Sequence, residues 1–204
     1  MKRFFIVFSI LIASMGCTKQ TIIDTGICSP YHDCSIMDYL RKDDYLWGYT
    51  VKMIEYAGLT DLFEGKVDTL PEITFLGIPS MSVERLVYEY EVDSVSDLSR
   101  NKCRRILLQH VAKGKILKDD VNFRNMDYYI NDSQQDGGTD VTMLYGNVVR
   151  FYRERSEYQG VPDAGPVTLN FWSLDEDHRI PISSADIQPL NGVVHALNYN
   201  YILE

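Results

Sequence analysis

The stretch ISSADIQPLNGVVHALNYNYIL, residues 182–203, decides how the rest of the chain is read. From Val193 its side chains alternate. Val193, His195, Leu197, Tyr199 and Tyr201 share one face, and Val194, Ala196, Asn198, Asn200 and Ile202 share the other. Alternation with a period of two predicts a closing strand over residues 193–203, bulky on one face and mixed on the other. His195 falls between two aliphatic residues of the bulky face, so it is expected to be a buried, structural histidine hydrogen-bonded to backbone.

Moving outward, Val167, Leu169 and Phe171 form a further alternating run. Val141, Met143 and Tyr145 precede a Gly146-Asn147 turn, and Val149, Phe151 and Arg153 follow it, a pattern that predicts a hairpin. Before residue 115 the spacing changes to three and four. Ile36, Met37 and Leu40, then Leu46, Thr50, Met53, Ile54 and Ala57, predict helices stopped by Gly58, with a turn over 59–65. Residues 73–78 are a compact apolar strand ending at Pro79, after which Ser80 caps a helix carrying Val83, Leu86, Val87 and Tyr90. A last helix, capped by Ser96, runs through Leu98, Cys103, Ile106, Leu107 and Val111 to Gly114. Helices followed by strands predict the α+β class.

Three of these stretches carry a family resemblance. Thr74-Phe75-Leu76-Gly77-Ile78-Pro79-Ser80, running from strand into helix, resembles the first signature of fasciclin (FAS1) domains, where "TFLAPT" is usual. Leu107-Leu108-Gln109-His110-Val111 with Gly114-Lys115 resembles the central "LLxHHVVPG" segment. Ser184-Ala185-Asp186-Ile187 and Asn191-Gly192-Val193-Val194-His195-Ala196 are similar to the closing "ADIxxxNGVIH" pattern. The resemblance implies a wedge of β-strands with N-terminal helices packed around it, used for adhesion and extracellular contact without catalysis. It also implies a recognition role for the Asp186-Ile187 pair, which matches a pair connected with integrin recognition in animal members. Where the family often has Tyr-His this chain has Gln109-His110, so a receptor role does not carry over to that position.

The first seventeen residues have their own pattern. Lys2 and Arg3 precede an apolar run of about ten residues, half of what a membrane-spanning helix needs. Ser14-Met15-Gly16-Cys17 resembles a bacterial lipobox, which implies cleavage after residue 16 and lipidation of Cys17. The expected organisation is therefore a signal peptide over 1–16, a lipidated tether over 17–33 and one domain over 34–204. The expected anchor is lipid only, at the outer membrane, on its surface or periplasmic face. Cys28, Cys34 and Cys103 then remain; one disulfide among them is the simplest count, with Cys28–Cys34 and Cys34–Cys103 both open.

Composition bounds the function. The 204 residues carry a net charge of −9, and −11 once Lys2 and Arg3 are removed, which opposes binding to phosphate backbones and sets nucleic acid aside. The sequence holds no nucleophile elbow, phosphate-binding glycine loop or zinc-protease helix, so no enzyme and no cofactor are expected. Asp132, Asp136 and Asp140 fail as a calcium loop, because position three is Gln134 and position twelve is Met143. No metal is expected there, and the acidic run at 175–177 reads as a solvated turn. Binding is expected in the long middle region, 122–166, where Tyr152 and Tyr158 sit beside Arg153 and Arg155; tyrosine and arginine are frequent interface anchors. The expected activity is surface contact with an unknown protein or glycan, and the alternative is an accessory glycan- or transporter-binding subunit of an outer-membrane uptake system.

Overall fold

The computed structural model describes residues 29–173 and 178–203. The expectations for the leader, Cys17, Cys28 and the acidic run at 175–177 lie outside the described residues. In chain order the elements are β1 (Tyr31–His32), α1 (Ile36–Arg41), α2 (Asp44–Ala57), α3 (Thr60–Phe63), β2 (Ile73–Gly77), α4 (Ser80–Glu89), α5 (Arg100–Gln109), β3 (Val111–Lys113), β4 (Thr139–Thr142), β5 (Val148–Arg155), β6 (Val167–Ser173), β7 (His178–Pro189) and β8 (Gly192–Leu197). The fold class is α+β.

Local chemistry sets the helix boundaries. The Ser35 hydroxyl accepts the Asp38 N–H at 3.1 Å and the Asp43 carboxylate accepts the Leu46 N–H at 3.0 Å. Both N–H groups belong to first turns, which have no acceptor inside their own helix. α2 ends at Gly58 in the left-handed region, φ 68°. The buried stripe of α2, made by Trp47, Thr50, Met53, Ile54 and Ala57, holds it against α4 and α5. The Trp47 ring lies directly on β2. A Cβ on residue 77 would sit 2.8 Å from Trp47 Cη2 and 3.0 Å from Val194 Cγ1, so the departure from the family signature at Gly77 has a packing cause.

The strands form one sheet in the order β3-β2-β8-β7-β6-β5-β4, with β1 added to β7. β2 runs parallel to β8 and β1 parallel to β7, and the other pairs are antiparallel. The two edges approach each other. Ala112 of β3 bridges to Met143, just after β4, and the Leu144 N–H donates to Val111 O at 2.7 Å. The curved sheet therefore has an inside, filled by Leu76, Val149, Phe151, Leu169, Phe171 and Leu197. A second core lies between sheet and helices, around Trp47, Ile54, Phe63, Phe75 and Leu107. Adjacent Phe75 and Leu76 of β2 enter different cores because successive side chains of a strand point to opposite faces.

Several boundaries differ from the sequence reading. α5 starts after Ser99, not Ser96, and ends at Gln109; Val111 opens β3, whose partner is Phe75. Residues 59–65 contain α3 rather than only a turn. β8 stops at Leu197. The Tyr201 N–H then donates to Asn198 O at 2.9 Å, which turns the chain and brings Tyr201 back to His110. Tyr31 and His32, placed in the tether, join the sheet opposite Gln188 and Pro189.

Candidate functional site

The middle region is only partly a free surface. Val149 and Phe151 on one face of β5 complete the inner core, leaving Arg150, Tyr152 and Glu154 on the other face, paired across to Trp172, Asn170 and Thr168 of β6. Residues 122–138 run along this outer face. Gln135, buried in the middle of the run, pins it. Its side-chain oxygen accepts from the Asn125 and Gly137 N–H groups at 2.8 and 2.9 Å, and its amide donates to Asn125 O at 2.9 Å and Tyr128 O at 3.2 Å. Arg150 adds a bond from Nη1 to Gln135 O at 3.1 Å while clasping Asp140 through Nε and Nη2 at 2.6 and 2.9 Å. Gln135→Ala leaves several buried backbone groups without partners, at about 1–3 kcal/mol each. Hydrogen exchange should show residues 123–138 opening in that variant while β5 and β6 stay protected; equal protection of the segment in both proteins would refute the pinning role.

The sequence-derived contact residues do not form one patch. Tyr152 is 1% exposed, so the expectation that it makes surface contacts fails: the overlying segment covers it. Arg153 points to the opposite face, with Nη1 2.9 Å from Asp119 and its guanidinium 4.4 Å from the centre of the Phe123 ring. Exposed Arg155 approaches the same ring at 6.0 Å, giving a small edge patch of Phe123, Arg153 and Arg155. Tyr158, 58% exposed, stands apart at the tip of the β5–β6 loop beside Val161.

On the other side of the sheet, the closing segment is engaged in the fold itself. Asp186 takes a positive φ of 60° at a register shift in β7. Its carboxylate accepts the Lys118 N–H at 2.8 Å and its own N–H donates to His195 Nδ1 at 3.2 Å. His195 Nε2 donates to Ile116 O at 2.9 Å. Burial pushes the His195 pKa below its usual value, opposed by its bond to the Ile116 carbonyl and by the Asp186 charge. Ile187 packs on the helical core. The sequence reading did not single out His110 as a buried group, yet it is enclosed and lowered to about 4 by burial, with Nδ1 donating to Ile106 O and Nε2 accepting from the Tyr201 hydroxyl, both at 2.7 Å.

The described surface has two notable hollows. A groove of about 550 Å³ between α2 and α4 is walled by Tyr45, Leu46, Tyr49, Met81, Glu84 and Tyr199. A smaller recess of about 310 Å³ opens on the outer face of β5 and β6, between Tyr129, Ile130, Asn131, Tyr152, Trp172 and the Arg124–Glu154 pair. Neither was found from sequence. The signal for the groove was large apolar residues on the solvent faces of two helices, and the recess depends on a loop course with no periodicity to read. Asp132, Asp136 and Asp140 disperse to separate partners, Gln134 N–H, Asn125 and Arg150. Among the described residues no three His, Cys, Asp or Glu side chains gather as metal ligands, and no helix is long and apolar enough to cross a membrane. Cys34 and Cys103 are both unbridged.

The three segments that resemble fasciclin signatures meet in space. The first supplies β2, the central one α5 and β3 at its side, and the closing one β7 and β8, giving four adjacent strands in the order β3-β2-β8-β7 with the helices packed on them. No family model and no curated protein matches the chain. Among solved structures, a FAS1 domain pair from the insect cell adhesion molecule fasciclin I is similar at 18% identity and a TM-score of 0.47, covering 74% of this chain and 44% of that one. The chain thus spans less than half the length of that structure.

Proposed function

We propose that the protein is a fasciclin-domain lipoprotein, held on the cell envelope through Cys17, whose middle region makes contact with a protein or glycan at the surface. The observation that carries this reading is the division of labour in β5 and β6. Their inner face completes a core, whereas the end of β5 and the flanking loops place Phe123, Tyr129, Arg155 and Tyr158 at the surface. Exposed aromatic and arginine side chains on loops and edges held by a packed sheet are what interface anchors are made of. The net charge, −11 once Lys2 and Arg3 are removed, disfavours approach of the body to an anionic lipid surface, so a lipid tether and a water-facing contact surface are compatible.

Cells supplied with labelled palmitate test the anchor. The wild-type protein is expected to take up the label and stay in the membrane pellet through a salt wash, and Cys17→Ala to do neither. A variant that keeps its acyl mass and its place in the pellet would overturn the anchor. For the contact surface, a photoreactive phenylalanine at Tyr158 should give a discrete crosslinked product on intact cells and one at Tyr88, on the helical side, should not. The reverse pattern would move the contact to the helices.

A further inference from the structure

We propose that the recess bounded by Arg124, Tyr129, Tyr152, Glu154 and Trp172 binds a single neutral sugar ring of a glycan. The inference rests on the reading of the middle region as a contact surface and names its ligand class. Size comes first. At about 310 Å³ the recess sits at the lower end of the range of small-molecule sites, roughly 300–1,000 Å³, room for one ring rather than a peptide segment. Its walls combine three aromatic side chains, one of them Tyr129 at 82% exposure, which leaves a ring face free at the mouth. Flat rings of this kind cover the apolar face of a sugar, while polar groups at the edge take its hydroxyls.

The polar groups fit a neutral guest. Arg124 Nη2 lies 3.3 Å from Glu154, so the one cation of the wall is matched by a carboxylate and an anionic ligand would meet repulsion from it. Both side chains are mostly enclosed, and a hydroxyl can donate to the carboxylate and accept from the guanidinium at once. Gln135, by pinning residues 123–138, holds Tyr129 and Ile130 over the sheet, so the recess is built by the same bond network that closes the loop.

Isothermal titration of the mature protein with neutral cello-, xylo-, malto- and chito-oligosaccharides tests the site, with oligogalacturonate and an unrelated peptide as contrasts. At least one neutral series is expected to saturate. Tyr129→Ala removes the exposed ring, and Glu154→Gln keeps the shape but removes the carboxylate that takes the sugar hydroxyl; each should weaken that binding at least tenfold. Tyr45→Ala in the helical groove should leave it unchanged. Circular dichroism checks the fold, and the high exposure of Tyr129 keeps that variant interpretable should Glu154→Gln unfold. No saturation with any neutral series, saturation with the uronate alone, or undiminished binding by both folded variants would overturn the proposal. If no sugar binds while crosslinking at Tyr158 persists, the recess fails and the contact surface stands.

Discussion

Gly192→Ala is expected to destabilise the protein by about 3 kcal/mol or more. Gly192 sits at the start of β8, directly opposite Ile73 of β2 in the parallel pairing, with φ at 150°. A Cβ built there falls 1.9 Å from Ile73 O and 2.9 Å from Ile73 C. The obstacle is backbone in the middle of a sheet. It cannot rotate aside as a side-chain tip does, so the two strands must separate, and the pairs from Thr74–Val193 to Gly77–Ala196 separate with them. The neighbouring residue compounds the effect. Asn191 Oδ1 accepts the Ile36 N–H at 2.7 Å, its Nδ2 donates to Phe63 O at 3.0 Å, and its backbone carbonyl accepts the Ile73 N–H at 3.1 Å, joining α1, α3 and β2 at one residue. Overpacking alone costs about 1–3 kcal/mol and backbone strain a similar amount. Gly146→Ala is the control: φ is also positive there, 104°, but nothing lies within 4 Å of the added carbon. Urea unfolding of the two variants separates steric conflict from φ strain, and equal stability of both would refute the argument.

The same pair shows what sequence can and cannot disclose. Asn191-Gly192 was legible as part of a closing pattern, and the alternation after it correctly marked Val193 to Leu197 as strand. Alternation kept going through Tyr201 while the strand did not: Tyr199 is exposed, and Tyr201 is half-buried by a turn that returns it to His110. Val111 misled in the opposite direction. It continues the helical spacing of Ile106 and Leu107, yet a strand leaving the same core buries it equally well, so the period could not separate α5 from β3. Tyr152 is the clearest case for the site. In a hairpin it reads as an outward tyrosine, and nothing in the order of residues 122–138 announces that they cover it; the cover is made by one glutamine side chain bonding to backbone, which leaves no repeat or motif. Long periodic elements were thus readable, and surfaces made by aperiodic segments were not.

Acidification from pH 7 to about 4.5 should destabilise the protein strongly, with His110 as the main cause. His110 and His195 are buried and neutral, each with one nitrogen donating and the other accepting. Protonating His195 at Nδ1 would set an N–H against the Asp186 N–H that now donates to it. In the unfolded chain a histidine titrates near 6.5, whereas in the fold burial holds His110 at about 4 and His195 below its usual value. Between those values the unfolded chain binds more protons, so stability rises with pH through this window. The contribution is complete above about pH 6.5 and is lost as the pH falls toward 4. For His110 alone the loss amounts to about 3 kcal/mol, and His195 adds to it in the same direction. Carboxylates act lower on the scale. Asp140, held below the usual carboxylate range by its hydrogen bonds to Arg150, makes its contribution to acid sensitivity below about pH 4, so the interval from 6.5 to 4.5 isolates the histidines. Urea midpoints measured across that interval should fall steeply for the wild type and by about one proton's worth less for His110→Gln, whose amide preserves a donor and an acceptor. A pH slope unchanged in His110→Gln would exclude His110 as the source.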